Sequence, residues 1–361
     1  HIRQEGLDAV FALRGQLRLV CLSRTGEPVG AVRRLLDLLY QQIVFLLTGS
    51  VQRALERRPN QDVQALLGGA GPVLRGVIRG SSWDPAQLLR AFHPLPVRKE
   101  ARAHLGQQFR QLAFPSLLVG VLFNETHVVH VSKRRGFALH PDDMLLLLNF
   151  CRTTPAFRGG QEHFPPVCLP NFNPDAFLTG HVTFLSPTLG LALLAADAES
   201  FAELSECSRG LAAFLRGKRL VDTLGGQEGA LHLDVLPKSA GGGLPGSNAL
   251  WHFLYLATGR RQYAAPAWGP PLHSRAARKR AMQSYKRLID SVNPKGREPV
   301  RTAELRLSGE HLAFAFTASG FQLYALFDPV TDKAQAVQAC NSLCGWLQGQ
   351  EGHLFVPSAD L

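Results

Sequence analysis

The segment PPVCLPNFNPDAFLTGHVTFLSP, residues 165–187, places Pro165, Pro166, Pro170 and Pro174 within ten positions. Each proline removes a backbone donor and fixes φ, so no helix crosses the first half and the chain must run extended. Val167, Leu169 and Phe172 then face a core, Asn173-Pro174 reads as a turn, and HVTFLS continues as the next strand. Proline also blunts strand pairing, which makes Val167 to Phe172 an edge strand.

This strand sits in the middle of a unit that the chain repeats. Before it come a hairpin, LLVGVLF (117–123) and HVVHVSK (127–133), and a helix opened by His140-Pro141-Asp142-Asp143. Proline in a first turn with two carboxylates at the positive end of the helix dipole is a strong start signal. After it come the apolar strand LALLA (191–195) and a helix over 200–218 that buries Phe201, Leu204, Leu211 and Leu215 on one stripe. The same order returns further on: LWHFLYLAT (250–258), a helix over 274–292, the strands AELRLSG, HLAFAFTAS and FQLYALFDP, and a helix from Lys333 to Gln348. The alternation of Leu312, Phe314 and Phe316 fixes one of these strands, and Cys340 and Cys344 fall on the apolar face of the last helix as small buried hydrophobes.

A first copy is partial. It begins at the last two strands, LDAVFALRG (7–15) and QLRLVCLSRT (16–25), and passes directly to a helix over 28–49. In that helix Val32, Leu35, Leu36, Leu39, Ile43 and Leu46 recur at intervals of three and four, so this face packs on the first sheet. Arg33, Arg34, Asp37, Tyr40 and Gln41 are left for the other side and are the candidate contacts to a partner, since half a sheet leaves apolar surface to be covered. A helical connector over 51–110, broken at Pro59, Gly68 to Pro72 and Pro94 to Pro96, leads to the second copy, and a glycine-rich loop, 227–248, joins the second to the third. The chain divides at 1–110, 111–226 and 247–361.

Chemistry-bearing patterns are few. Gly241, Gly243 and Gly246 match dinucleotide-fingerprint spacing, but Pro245 and the lack of a strand leading into a helix make the match accidental. Cys168 near His163 and His181 lacks a third orienting group, so a thiol nucleophile does not follow. His127 and His130, three apart on a strand, point to opposite faces and do not share a metal. Six cysteines without a C-x-x-C pair oppose a zinc ribbon or a disulfide framework and suit the cytosol. The sequon at Asn124 lies in a hairpin turn. No catalytic residue, cofactor or metal is expected. The chain opens without an apolar signal region, and no run of about 18 apolar residues could span a bilayer.

Net charge is the remaining clue: 39 basic against 28 acidic residues give +11. The densest cluster is HSRAARKRAMQSYKR (273–287), where Arg275, Arg278, Lys279, Arg280, Lys286 and Arg287 spread over more than one helical face. Single-stranded nucleic acid calls for aromatic residues interleaved with the charges, and only Tyr285 is there, so anionic, phosphoinositide-bearing membrane is the expected partner and nucleic acid is not.

The blocks FALHPDDMLLLLNF (137–150), FRGGQEHFPPVCLPNFN (157–173) and HVTFLSP (181–187), with LLTG and NQDVQALLGG (46–69) before them and WHFLY (251–255) after, resemble the SAND, or monensin-sensitivity, family of vacuolar fusion proteins. The resemblance runs in order through nearly the whole chain. It implies an α/β fold of tandem longin-like units, each a five-stranded mixed sheet with flanking helices, the first incomplete. It also implies a subunit of a heterodimeric guanine-nucleotide exchange factor, paired with the calcium-caffeine-zinc-sensitivity protein and acting on a late-endosomal Rab GTPase in endosome maturation and in vacuole and autophagosome fusion. Such a protein is cytoplasmic and peripheral to endosome and vacuole membranes, and exchange is non-covalent. The other reading is a trafficking scaffold or adaptor that binds membranes and partners without exchanging nucleotide.

Overall fold

A computed structural model describes residues 1–4, 6–57, 63–226, 230–241, 249–293, 301–307, 310–357 and 359–360. The expected break at Pro59, Gly243 and Gly246 of the glycine loop, and the end of AELRLSG lie outside them.

Three separate sheets carry the fold. The first unit holds β1 (Ile2–Gln4), β2 (Leu7–Arg14), β3 (Leu17–Ser23) and α1 (Val29–Leu47). A connector follows with α2 (Ser50–Arg57), α3 (Val63–Leu66), α4 (Gly71–Trp83), α5 (Pro85–Leu89) and α6 (Lys99–Gln111). Pro72 does not break the chain here. It occupies the first turn of α4, where its missing N–H costs nothing.

The second unit comprises β4 (Leu117–Phe123), β5 (Val128–Lys133), α7 (Pro141–Thr153), β6 (Pro166–Leu169), β7 (Asn173–Phe184), β8 (Gly190–Ala195), α8 (Phe201–Gly217) and the short α9 (Val221–Gly225). The third has β9 (Leu250–Ala257), β10 (Gln262–Ala264), α10 (Arg275–Val292), β11 (Thr302–Leu307), β12 (His311–Ala318), β13 (Phe321–Phe327), α11 (Lys333–Gly349), α12 (Glu351–Leu354) and β14 (Ala359–Asp360). Strand order is β5-β4-β8-β7-β6 in the second unit and β10-β9-β13-β12-β11 in the third, the same permutation. These ladders are antiparallel, and the third unit adds β14 to the second sheet, parallel to β5. In the first sheet, β1-β2-β3, the strand equivalent to β8 and β13 is β3, and it is an edge.

The proline-rich strand is shorter than its sequence suggests. β6 ends at Leu169, with Val167, Cys168 and Leu169 fully buried, while Phe172 is 48% exposed in the following turn, edge-on to Phe137. The turn falls before Asn173, so β7 begins there instead of at His181. Phe201 is likewise outside the core, resting against Phe164, while Leu204, Leu211 and Leu215 are buried as the stripe requires.

His140 caps α7, its Nδ1 accepting from the Asp142 amide at 3.2 Å. The two first-turn carboxylates are buried with specific partners. Asp142 accepts from the Arg90 guanidinium, with Nε at 3.0 Å, and Asp143 receives both the backbone N–H and the side-chain amide of Asn171.

Pro94-Leu95-Pro96 forces the connector into an extended run between two sheets. Val128 donates to the His93 carbonyl at 2.8 Å and Leu95 to the Val128 carbonyl at 2.9 Å on one side, and on the other Phe92 donates to the Arg261 carbonyl at 3.2 Å and accepts from the Tyr263 amide of the third unit at 3.0 Å. Arg102 of α6 completes the joint. Only 3% exposed, it donates to the carbonyls of Leu95 (2.8 Å), Val129 (3.0 Å) and His353 (3.3 Å), one from each body.

Candidate interaction surfaces

The basic helix α10 starts at Ser274, whose Oγ accepts from the Ala277 amide at 3.1 Å. Ala277, Ala281, Tyr285, Leu288 and Ile289 pack inward as their spacing requires, and the buried Tyr285 hydroxyl bonds His252 Nδ1 at 2.9 Å. The six basic candidates then separate. Arg275, Lys279, Arg280 and Arg287 are exposed, with Arg275 over the Trp83 ring at 5.2 Å and Arg280 3.4 Å from Glu310. Arg278 is half-buried, its Nε on the Leu272 carbonyl. Lys286 is 5% exposed and pairs with Glu27, ahead of α1, so it ties the third unit to the first and faces no membrane. Its position between Met282 and Ile289 on the helical wheel was the signal for this.

Helix α1 departs further from expectation, because it is covered on two sides. Val32 and Leu36 pack on the inner face of the first sheet with Val10 and Ala12, while Leu38 and Phe45 enter the core of the second unit, joined by Leu35 and Leu46. Of the five residues assigned to an outer side, only Arg33 is exposed. Asp37 pairs with Arg14, the Gln41 Oε1 accepts from Asn171 Nδ2 at 3.1 Å, and Tyr40 lies beside Gln52. Arg34 points inward, and its Nη2 has no hydrogen-bond partner among the described residues. Burial lowers the Arg34 pKa, with Asp290 acting in the opposite sense. Arg34, Asp37, Tyr40 and Gln41 line an open cleft of about 440 Å³ against Arg90 and Asp142 of the neighbouring elements.

Among the described residues, the opposite face of the first sheet is an apolar surface left uncovered. Phe11 and Val20 are cross-strand partners, 46% and 52% exposed, and Leu13 and Leu22 are each 66% exposed. In the second and third units the corresponding sheets are packed on both faces, with helices α7 and α10 over one and α8 and α11 over the other. These four residues were legible as the alternate set to Val10, Ala12, Leu17 and Leu19. β3 also leaves its outer edge open for pairing.

The sulfur and imidazole groups are structural. Burial raises the Cys168 pKa to about 12, and its thiol donates toward the carbonyls of Asn173 (3.4 Å) and Pro174. Cys344 is pushed up to about 12 by burial and Cys340 higher still. His163 packs on Phe157, and His181 lies between Phe164 and the Glu162 carboxylate. His127 packs on His93, which stacks on Tyr263, whereas His130 lies on Phe109 on the opposite face of the strand. Asn124 of the sequon is 2% exposed, its amide held by the carbonyls of Leu224 and Gly226. Among the described residues no group of three or more metal-ligating side chains converges, and no helix is long and apolar enough to cross a membrane.

Comparison with known proteins gives the architecture a name. Residues 1–75 match the first longin domain of FUZ, MON1 and HPS1, residues 115–212 the second and residues 249–351 the third. A vacuolar fusion protein MON1 homolog of Oryza sativa subsp. japonica is 32% identical over 379 residues, covering 98% of this chain and 66% of the relative. The homolog of Arabidopsis thaliana is 31% identical, covering 98% and 61%, and homolog A of Homo sapiens is 29% identical, covering 98% and 53%. The chain thus spans between about half and two thirds of the length of these relatives.

Proposed function

The chain belongs to the MON1 family of vacuolar fusion proteins, and from that premise we propose that it acts in vacuolar fusion as one subunit of a heterodimeric guanine-nucleotide exchange factor. The substrate is a late-endosomal or vacuolar Rab GTPase, and the partner is the calcium-caffeine-zinc-sensitivity protein.

The observation that carries this reading is the bare face of the first sheet. Phe11, Leu13, Val20 and Leu22 stand about half to two thirds exposed beside an open strand edge. Burying the remaining area of four such side chains is worth roughly 1 kcal/mol each. A partner sheet or helix with a complementary apolar face gains that energy and satisfies the edge groups of β3 at once.

Exchange on such a platform needs no nucleophile. A surface that binds the nucleotide-free GTPase more tightly than the loaded form shifts the GTPase toward release, tenfold for each ~1.4 kcal/mol of difference. The exposed cations of α10 hold the complex on anionic lipid, each contributing about 1 kcal/mol at low screening.

Co-expression with the partner tests the surface. Leu13→Glu/Leu22→Glu should leave the circular dichroism of the chain unchanged and abolish co-elution with the partner on gel filtration. Co-elution of the double variant at wild-type level would place the interface elsewhere. A stable complex that does not accelerate release of a fluorescent GDP from the Rab would support the scaffold reading instead.

A further inference from the structure

Where α6, β5 and the turn of α12 meet, a cavity of about 680 Å³ is lined by Lys99, Arg102, Arg110, His130, Arg260 and Glu351. The spacing on α6 builds its wall. Lys99, Ala103, Gly106 and Arg110 share one helical face, with cations at the ends and two small residues between. Gly106 leaves room that a side chain would take: a Cβ there would stand 3.5 Å from the His130 ring and 3.4 Å from the Arg110 guanidinium. The third unit closes the far side with Arg260, from the turn between β9 and β10, and with Glu351, which Arg260 meets at 2.9 Å.

Two buried polar side chains in the cavity wall have donors to spare. His130 is 1% exposed, and neither of its ring nitrogens has a hydrogen-bond partner among the described residues. Arg102, 3% exposed, spends its terminal nitrogens on carbonyls and leaves Nε without a partner. Burial, with Arg102 and Arg110 close by, lowers the His130 pKa to about 3, so the ring is neutral and offers one N–H donor. Four cations surround the space against the single carboxylate of Glu351. The His130 N–H and the Arg102 Nε–H, both buried, are costly to leave open unless something accepts from them.

We propose that this cavity binds a small ligand carrying two or more phosphate groups, which staples α6 and the second sheet to the third unit. The volume is that of an ordinary small-molecule site. The Arg110 guanidinium fork matches a pair of phosphate oxygens, Arg102 adds its Nε–H and Lys99 a point charge, and Arg260 stays with Glu351, so three cations face the ligand, more than one carboxylate-bearing ligand would neutralise. A soluble inositol polyphosphate and the headgroup of a polyphosphorylated lipid share this chemistry.

Titration calorimetry on the full chain at 150 mM salt, with inorganic phosphate, soluble inositol hexakisphosphate and phosphoinositide-containing vesicles as separate probes, tests the site. The soluble polyphosphate should bind at one equivalent, raise Tm, and outbind inorganic phosphate at least 100-fold. Lys99→Glu/Arg110→Glu, both at exposed positions, should weaken it by at least 30-fold. His130→Phe, which fills the same space without a donor, should weaken it several-fold while leaving the unliganded Tm no lower. Lys279→Glu/Arg287→Glu, on α10, should bind the soluble probe as wild type does. Vesicles competed off by the soluble polyphosphate would identify a lipid headgroup as the source, and vesicles without effect a soluble metabolite. Binding no tighter than that of inorganic phosphate, or undiminished in Lys99→Glu/Arg110→Glu, would overturn the proposal.

Discussion

Replacing Arg102 by methionine removes a side chain whose guanidinium hydrogen-bonds the connector, the second unit and the third unit at once. Methionine retains most of the stem packing, so the change isolates the guanidinium. Three charge-assisted bonds are lost, to the carbonyls of Leu95, Val129 and His353, each worth about 1.5–3 kcal/mol. Against this stands the burden of holding a cation away from water. Burial draws the Arg102 pKa from 12.5 to about 10, and at 1.36 kcal/mol per unit that relief returns about 3 kcal/mol. The difference is a net destabilisation of about 1–6 kcal/mol, a large share of the ~5–15 kcal/mol by which domains are stable. Urea unfolding followed by tryptophan fluorescence and far-UV circular dichroism reads it. Three of the four tryptophans, Trp251, Trp268 and Trp346, lie in the third unit, so fluorescence is weighted to it while the dichroism reads the whole chain, and the variant should show a lower midpoint and separation of two transitions that coincide in the wild type. An unchanged or raised midpoint with coincident transitions would refute the idea that Arg102 rivets the units.

Acid should weaken the fold from pH 6.5 downward, because burial lowers His127 to about 4 and His252 to about 3, so the unfolded chain binds more protons than the folded one across that window. The stability these neutral rings allow is complete above pH 6.5 and is lost by on the order of 3 kcal/mol for each as pH falls through the folded values, which a series of urea midpoints between pH 7.5 and 4 checks. Glu27→Gln leaves the Lys286 ammonium buried without its carboxylate and should cost about 2 kcal/mol, less than for a fully buried pair because Glu27 is 23% exposed, measured as a fall in the urea midpoint. Lys279→Ala/Arg287→Ala should weaken flotation with anionic vesicles about 30-fold at low salt, from about 1 kcal/mol per cation, and the loss should shrink as salt rises.

Periodicity carried much of the fold because long elements bury one stripe against one neighbour. The start of α7 at His140-Pro141, the apolar β8 and the burial of Cys340 and Cys344 on α11 all follow from spacing and cap chemistry. What escaped is whatever depends on a second neighbour. Spacing gives helix α1 one buried face, yet Leu38 and Phe45 pack in the second unit, which leaves Asp37, Tyr40 and Gln41 lining a cleft beside it. Lys286 reads in sequence as part of the basic face, although Glu27, distant in sequence, supplies the reason for its burial. Three-residue strands such as β1 and β10 are too short to show a period, and β14 pairs across units, so none was visible. Pro94 to Pro96 read as an interruption because proline marks extended chain without saying what it lies beside. Here it lies between two sheets.

Nucleotide exchange by a heterodimer built on the first sheet is read out by the release of fluorescent GDP from a late-endosomal Rab. The chain co-purified with its partner should accelerate release at least tenfold over the intrinsic rate, either protein alone should not, and Phe11→Glu/Val20→Glu, at two exposed cross-strand positions, should return the rate to intrinsic. Acceleration that survives that double variant, or a purified complex that leaves release at the intrinsic rate, would contradict it.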